Sequence, residues 1–225
     1  VVDYVRSYLN HEKIVLVASS VGSAFGLAMA KRRPDLFAAY VGTDQNTSPD
    51  AQGLSYQLTL TWLRESGQWR GVRAVERMGA DHACWTRAEF DAFTRWAIKA
   101  NPRIPDMVMD VIFPALMSSP AHTMRDMRDL SAGIAQSLEQ LYDELVSFDA
   151  RKLGMEFELP FFIFQGDTDA VTPTAKAKEY FDEVRAPHKQ FILIRNSGHL
   201  AAFARPGQFL DELVQHVRPF ARTLT

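Results

Sequence analysis

The chain has 225 residues, of which 47% are hydrophobic, and a formal net charge of -2, so it can bury a full core as one elaborated domain or as a domain with an insertion. Lysines and arginines are scattered rather than clustered, which argues against a nucleic-acid partner or a polybasic membrane surface, and no apolar run reaches the roughly 18 residues needed to span a bilayer. No signal peptide is visible, so the expected location is cytoplasmic, and the single cysteine, Cys84, excludes an internal disulfide and reads as a buried small hydrophobe.

Apolar residues in the first nine positions recur at helical spacing, so the chain opens inside a helix that lacks a capping residue. Residues 14–17 form an unbroken apolar, mostly β-branched run, suited to a parallel strand covered on both faces. Small residues follow, and then residues 23–33 favour a helix that Pro34 stops. Strand, sharp turn and helix is the layout of a nucleophile elbow, where a serine sits on a strained turn above the sheet. The turn needs small residues two before and two after the nucleophile. Ser20 has Ala18 and Gly22 there, whereas Ser19 has Val17 and Val21, so Ser20 is the candidate. Ala18 stands where the G-x-S-x-G pattern has its first glycine, and a plain βα unit with a serine-rich turn is the bland alternative.

Residues 36–43 read as a second buried strand, giving a right-handed βαβ unit, and the next comparable strand is residues 160–165. The gap far exceeds the ~10 to 12 residues of a simple crossover. It reads as helical: Leu54, Leu58 and Trp62 lie on one face, Thr86 and Glu89 form a capping box, and Pro114 breaks a methionine-rich stretch. Pro120 is expected to open another helical stretch, and Ile134, Leu138, Leu141 and Leu145 make a regular stripe. Such stripes are more often core than ligand box, yet five helices over a catalytic turn would also roof a pocket. Past this insertion come a helix over residues 173–185, a strand over 190–194 and a last amphipathic helix over about 207–222.

A serine hydroxyl needs a base, and the base needs an orienting carboxylate. In an open α/β sheet these partners belong on loops just beyond later strands. Two such loops exist: G-D-T-D-A-V-T-P, with Asp167 and Asp169, and S-G-H, with His199. Serine, aspartate and histidine therefore occur in that order, each beyond a strand. His11, His82, His122, His188 and His216 have no such setting and read as ordinary surface or insertion residues. No spacing suggests a metal, and no cofactor is expected.

With V-A-S-S-V-G-S, R-P-D-L-F-A-A-Y-V-G-T, F-Q-G-D-T-D-A-V-T-P and N-S-G-H-L in place, the chain resembles an α/β-hydrolase of the proline iminopeptidase-like group. The resemblance implies an α/β fold, a parallel sheet flanked by helices with an inserted all-helical cap. Residues 1–46 would be core with the elbow, 47–150 the cap, and 151–225 core with the acid and base loops. The family's G-x-x-D-x-x-x-P pattern makes Asp169 the acid and His199 the base of a Ser20 triad; Asp167 is the runner-up acid, its other reading being a residue that shapes the turn, and the Val21 amide contributes to the oxyanion hole. Family members begin with further strands and a glycine-rich oxyanion loop. The expectation is therefore that an N-terminal segment or a second chain completes the sheet beside residues 14–17.

The resemblance implies a serine hydrolase acting on amide or ester bonds of a small-molecule or short peptide substrate, with a proline iminopeptidase-like aminopeptidase as its specific form. No Trp-Glu pair of the kind that holds a substrate amine in the family is present, which leaves Glu65, Glu76 and Asp81 for that job and keeps a carboxylesterase-type hydrolase open. A serine rather than an aspartate at the elbow argues against epoxide hydrolase or dehalogenase chemistry. From another class, the alternative is a non-catalytic hydrolase-fold binding module.

Overall fold

The computed structural model of the protein describes residues 1–222. Four strands, β1 (Ile14–Ser19), β2 (Phe37–Thr43), β3 (Phe161–Gly166) and β4 (Lys189–Ile194), form one parallel sheet in the order β1-β2-β3-β4. Ahead of β1 lies α1 (Val2–Leu9), α2 (Val21–Arg32) joins β1 to β2, and α3 (Ala51–Glu65), α4 (Trp69–Met78), α5 (Arg87–Lys99), α6 (Phe113–Ser118) and α7 (Met124–Ser147) follow β2. The chain continues through α8 (Thr174–Glu183), between β3 and β4, to α9 (Ala201–Ala204), α10 (Pro206–Glu212) and α11 (Arg218–Arg222). Every residue of β2 and β3 is buried, which is why both strands read as apolar runs without alternation.

One face of the sheet packs Tyr40, Phe161 and Ile163 against Leu27 of α2 and Phe181 of α8. The other packs Phe162, Phe164 and Ile194 against Phe209, Leu213 and Val217 near the end of the chain. Each such side chain contributes about 1.5–3 kcal/mol by leaving water. The closing helix is not the single α-helix expected: a π-helical turn, Leu213–Val217, separates α10 from α11. Pro219 comes two residues after it, and a proline ring clashes with an α-helical carbonyl four residues back, which the wider turn relieves.

The close approach of α2 to β1 falls one helical turn later than the sequence suggests. A Cβ at Gly22 would meet nothing within 4 Å among the described residues, whereas one at Gly26 would land on Ala18 Cβ and on the Tyr40 ring. Ala18 fits at the elbow because a glycine faces it. Gly26→Ala is expected to cost about 1–3 kcal/mol as overpacking, read as a thermal midpoint lower by several degrees; an unchanged midpoint would refute this account of the contact.

Between β2 and β3 the chain is helical, with a core of Leu60, Leu63, Val72, Val75, Phe93 and Ala97 that also takes in Ala170 of the loop after β3. The ends of this segment meet at a neck where the Ala150 amide donates to the Thr47 carbonyl at 2.6 Å. Thr86 and Glu89 make the expected capping box at the start of α5. Two other expectations are corrected. Pro114 does not break its stretch but sits in the first turn of α6, after a π-helical turn, Met107–Ile112. Pro120 opens no helix, because Thr123 and Asp126 cap α7 three residues later. Cys84 is also exposed rather than buried, on a short turn where its Sγ donates to Asp81 at 3.3 Å. Among the described residues no helix is long and apolar enough to cross a membrane.

Candidate active site

The sheet register brings four strand ends to one edge: Ser19 pairs with Thr43, Thr43 with Phe164, and Gly166 with Ile194. The residues just beyond them, Ser20, Asp44, the 167–173 loop and the 195–200 loop, therefore share a neighbourhood despite their distance in sequence. Gly166 permits the last two loops to touch, since a Cβ there would collide with the carbonyls of Ser197 and Gly198. Side chains of Asp167 tie the same loops together: its carboxylate accepts from the amides of Asn196 at 2.9 Å and Ser197 at 3.1 Å. Asp167 thus holds the histidine loop rather than the histidine.

Ser20 is the N-cap of α2 with φ 51° and ψ -125°, a left-handed region that a non-glycine residue occupies under strain. Its amide donates to the Thr43 carbonyl at 3.0 Å, fixing the turn to the end of β2. The Ser20 Oγ lies 2.8 Å from His199 Nε2, and His199 Nδ1 lies 3.0 Å from Asp169 Oδ2. A carboxylate can only accept, so the ring proton sits on Nδ1 and Nε2 accepts from the serine hydroxyl. Asp169 is buried and fully engaged: Oδ1 accepts from the amides of Val171 and Thr172, and Oδ2 from Gln165 Nε2 and the Thr172 hydroxyl. These donors fix its orientation before any substrate arrives.

His199 is buried as well, and burial favours its neutral form. The Asp169 charge and hydrogen bond, with the Asp44 charge behind them, outweigh this, so the imidazole pKa lies above the ordinary histidine value. Asp44 was not marked out by the sequence reading, yet it is fully buried at the end of β2 with φ 51°. The available signal was its position, a charged residue directly after an apolar strand, as at the acid loop.

Oxygen and nitrogen atoms of Asp44, Asp169 and His199 lie within 4.8 Å of one another. Their lone pairs already serve hydrogen bonds, so a cation there would displace the donors that hold the two carboxylates. The Val21 amide is the first N–H of α2 and has no intrahelical acceptor available to it, as at any helix start. Among the other histidines, His82 lines the cavity described next, His216 pairs with Glu212 at 3.2 Å, and His188 packs against Phe162 and Phe220.

Ser20, Val21 and His199 open on a cavity of about 610 Å³. The part of its lining that comes from α5 and α7 is largely apolar, with Phe90, Ile134, Leu138 and Leu145. Ile134, Leu138 and Leu145 of the α7 stripe therefore face the cavity, whereas Leu141 does not line it, and no residue of that helix is buried. Arg87, Asp91 and Arg95 also line the cavity, one helical turn apart along α5, and Asp91 is the carboxylate among its described lining residues. Arg87 is directed elsewhere, to the Ala135 carbonyl at 3.2 Å and Glu139 at 3.9 Å. Glu65, Glu76 and Asp81 do not line the cavity. Glu76 pairs with Arg64 at 2.6 Å, and Asp81 caps a short turn.

Residues 1–206 match the family model of the alpha/beta hydrolase fold. A Bacillus subtilis (strain 168) protein described as the probable aminopeptidase YbaC is 25% identical over 224 residues, covering 97% of this chain and 69% of that protein. The crystal structure of proline iminopeptidase from Mycobacterium smegmatis superposes with a TM-score of 0.63 at 15% identity, over 100% of this chain and 72% of that one. A membrane phospholipase A, described as a bacterial virulence factor, gives 0.54 at 15% identity, over 99% and 61%.

Proposed function

The chain belongs to the alpha/beta hydrolase fold family, and from that premise we propose that it is a serine hydrolase in which Ser20, His199 and Asp169 act together. The observation that carries this reading is the unbroken line of hydrogen bonds, 2.8 Å from Ser20 to His199 and 3.0 Å from His199 to Asp169, on a strained turn facing the cavity. Ser20 Oγ attacks a carbonyl carbon while its proton passes to His199 Nε2. The resulting imidazolium is held by Asp169, and the oxyanion by the Val21 amide. His199 then gives the proton to the leaving group, and water repeats the sequence on the acyl-enzyme. The helical segment over residues 47–150 acts as a cap, its apolar wall taking the acyl or N-terminal residue.

Within that class the reading is an aminopeptidase acting on small amides or short peptides. Two observations support it: the probable aminopeptidase relative aligned along nearly the whole chain, and Asp91, a carboxylate on the cavity wall suited to an α-ammonium group. A fluorophosphonate probe with mapping of the adduct tests the mechanism: one adduct on the Ser20 peptide is expected. Absence of labelling in the folded protein would move the reading to a non-catalytic binding module. Amino-acid arylamides with a free amine are expected to outpace their N-acetyl forms by about tenfold or more, the worth of a charge-assisted hydrogen bond. Equal turnover of both would favour the carboxylesterase-type alternative, which the apolar wall also fits.

A further inference from the structure

We infer that Asp44 is a second carboxylate of the site, a positioning residue that joins the serine turn to the histidine loop and stabilises His199 in its charged state. The inference rests on the hydrolase reading only for its consequence in turnover. Three donors from three parts of the chain converge on this one side chain. The Ser19 hydroxyl, adjacent to the nucleophile, donates to Oδ2 at 3.0 Å, and the Thr43 hydroxyl donates to the same oxygen at 2.9 Å. The Ala201 amide, two residues beyond the histidine, donates to Oδ1 at 3.1 Å. Asp44 therefore holds the Ser20 turn and the His199 loop at fixed separation from the far side of the site.

An orientation role alone would not need a charge. A buried carboxylate is costly, and burial raises its pKa, an effect the neighbouring Asp169 charge adds to and His199 opposes. All three hydrogen bonds place donors on Asp44, as suits the ionised form. The groups facing the His199 ring are the carboxylates of Asp169 and Asp44 and the neutral hydroxyls of Ser20 and Thr172, the last 3.4 Å from Nδ1. An imidazolium formed during turnover thus meets two negative charges, one hydrogen-bonded and one not, within 4.8 Å. For buried groups a charge at that range strengthens the base without reorganising.

The test is Asp44→Asn, which keeps the shape and an oxygen for the Ala201 amide while removing the charge; the two hydroxyls can turn to accept from the new amide. Nitrogen-15 NMR titration of the histidine rings is expected to show His199 titrating at lower pH in the variant than in the wild type. His11, His82, His122, His188 and His216 serve as controls. The acid limb of kcat/KM should move in the same direction, and kcat should fall by about 10- to 10²-fold, below the full 10²–10⁴ of an acid-base group. A His199 titration unmoved by the substitution overturns the inference whatever happens to turnover. A moved titration in a protein whose Ser20 takes no fluorophosphonate supports the role of Asp44 and overturns the hydrolase reading alone. In the wild type, the carbon-13 carboxyl shift of Asp44 is expected to carry an inflection at the pH where His199 titrates. Its absence overturns the inference even if the variant does not fold.

Discussion

Ser20→Ala is expected to lower kcat by about 10⁵- to 10⁶-fold, roughly 7–8 kcal/mol of barrier, while the fold is unchanged. The hydroxyl makes its hydrogen bond to His199 and lies on the cavity floor, so its loss opens no void in the core. Alanine also inherits the φ of 51° with a similar steric cost, so the thermal midpoint should stay within the range of a surface substitution, about 0.5 kcal/mol. Steady-state rates and calorimetry on the same preparation check both halves. Retained turnover above one part in ~10³ would mean that another group attacks the carbonyl and would end the assignment of Ser20, since the loss of a nucleophile leaves only oxyanion and binding effects.

Asp169→Asn is expected to lower kcat by about 10³- to 10⁴-fold through a specific rearrangement. The amides of Val171 and Thr172 both donate to Oδ1, so an asparagine must keep its oxygen there and turn its NH2 group toward His199 Nδ1. The imidazole can then avoid a clash of donors only by moving its proton to Nε2, where it can no longer accept from Ser20. The pH profile gives an independent check. In the wild type the base must be neutral, so kcat/KM rises with pH through the His199 pKa, which lies above the ordinary histidine value. Removing the Asp169 charge and hydrogen bond lowers that pKa, so the residual activity of the variant should hold to lower pH. An acid limb that stays in place or moves up would contradict the assignment of Asp169 as the partner of His199.

The places of Ser20, Asp169 and His199 beyond strand ends were legible in the sequence because each follows an apolar run long enough to read as a strand. The 14–17, 36–43, 160–165 and 190–194 runs match β1 to β4 closely, but the cover on both faces expected for residues 14–17 holds only for β2 and β3: Val17 of β1 and Leu193 of β4 are exposed, so an uninterrupted apolar run marks a strand without fixing how it is covered. Asp44 obeys the same grammar, V-G-T-D, and went unread because no motif names it. What a sequence reports less well is what an apolar face looks at. Ile134, Leu138 and Leu145 are spaced as a core stripe, and they face a cavity; periodicity fixes a side of a helix and says nothing of its partner. Likewise the need for a small residue at position 18 was legible, but its partner was not: the contact falls at Gly26 rather than Gly22, because it depends on how deeply α2 settles on β1. The usual habit of cysteine toward burial fails at Cys84, which stands exposed on a short turn bonded to Asp81.

The neck at Thr47 and Ala150 bears on how such a protein can change over time. The helical segment is joined to the sheet covalently at two points that a single backbone hydrogen bond holds together, beside the central strand pair β2 and β3. Insertions, deletions and replacements within residues 51–147 leave the strand register that brings Ser20, Asp169 and His199 together untouched, as long as they keep the packing of the segment on Ala170 and of Ile104 beside Gly198. The helical wall of the cavity can thus drift or lengthen away from those two contacts while the strand ends stay in place. Grafting a foreign helical segment that keeps those two contacts between Thr47 and Ala150 is accordingly the natural route to new cavity walls on this scaffold.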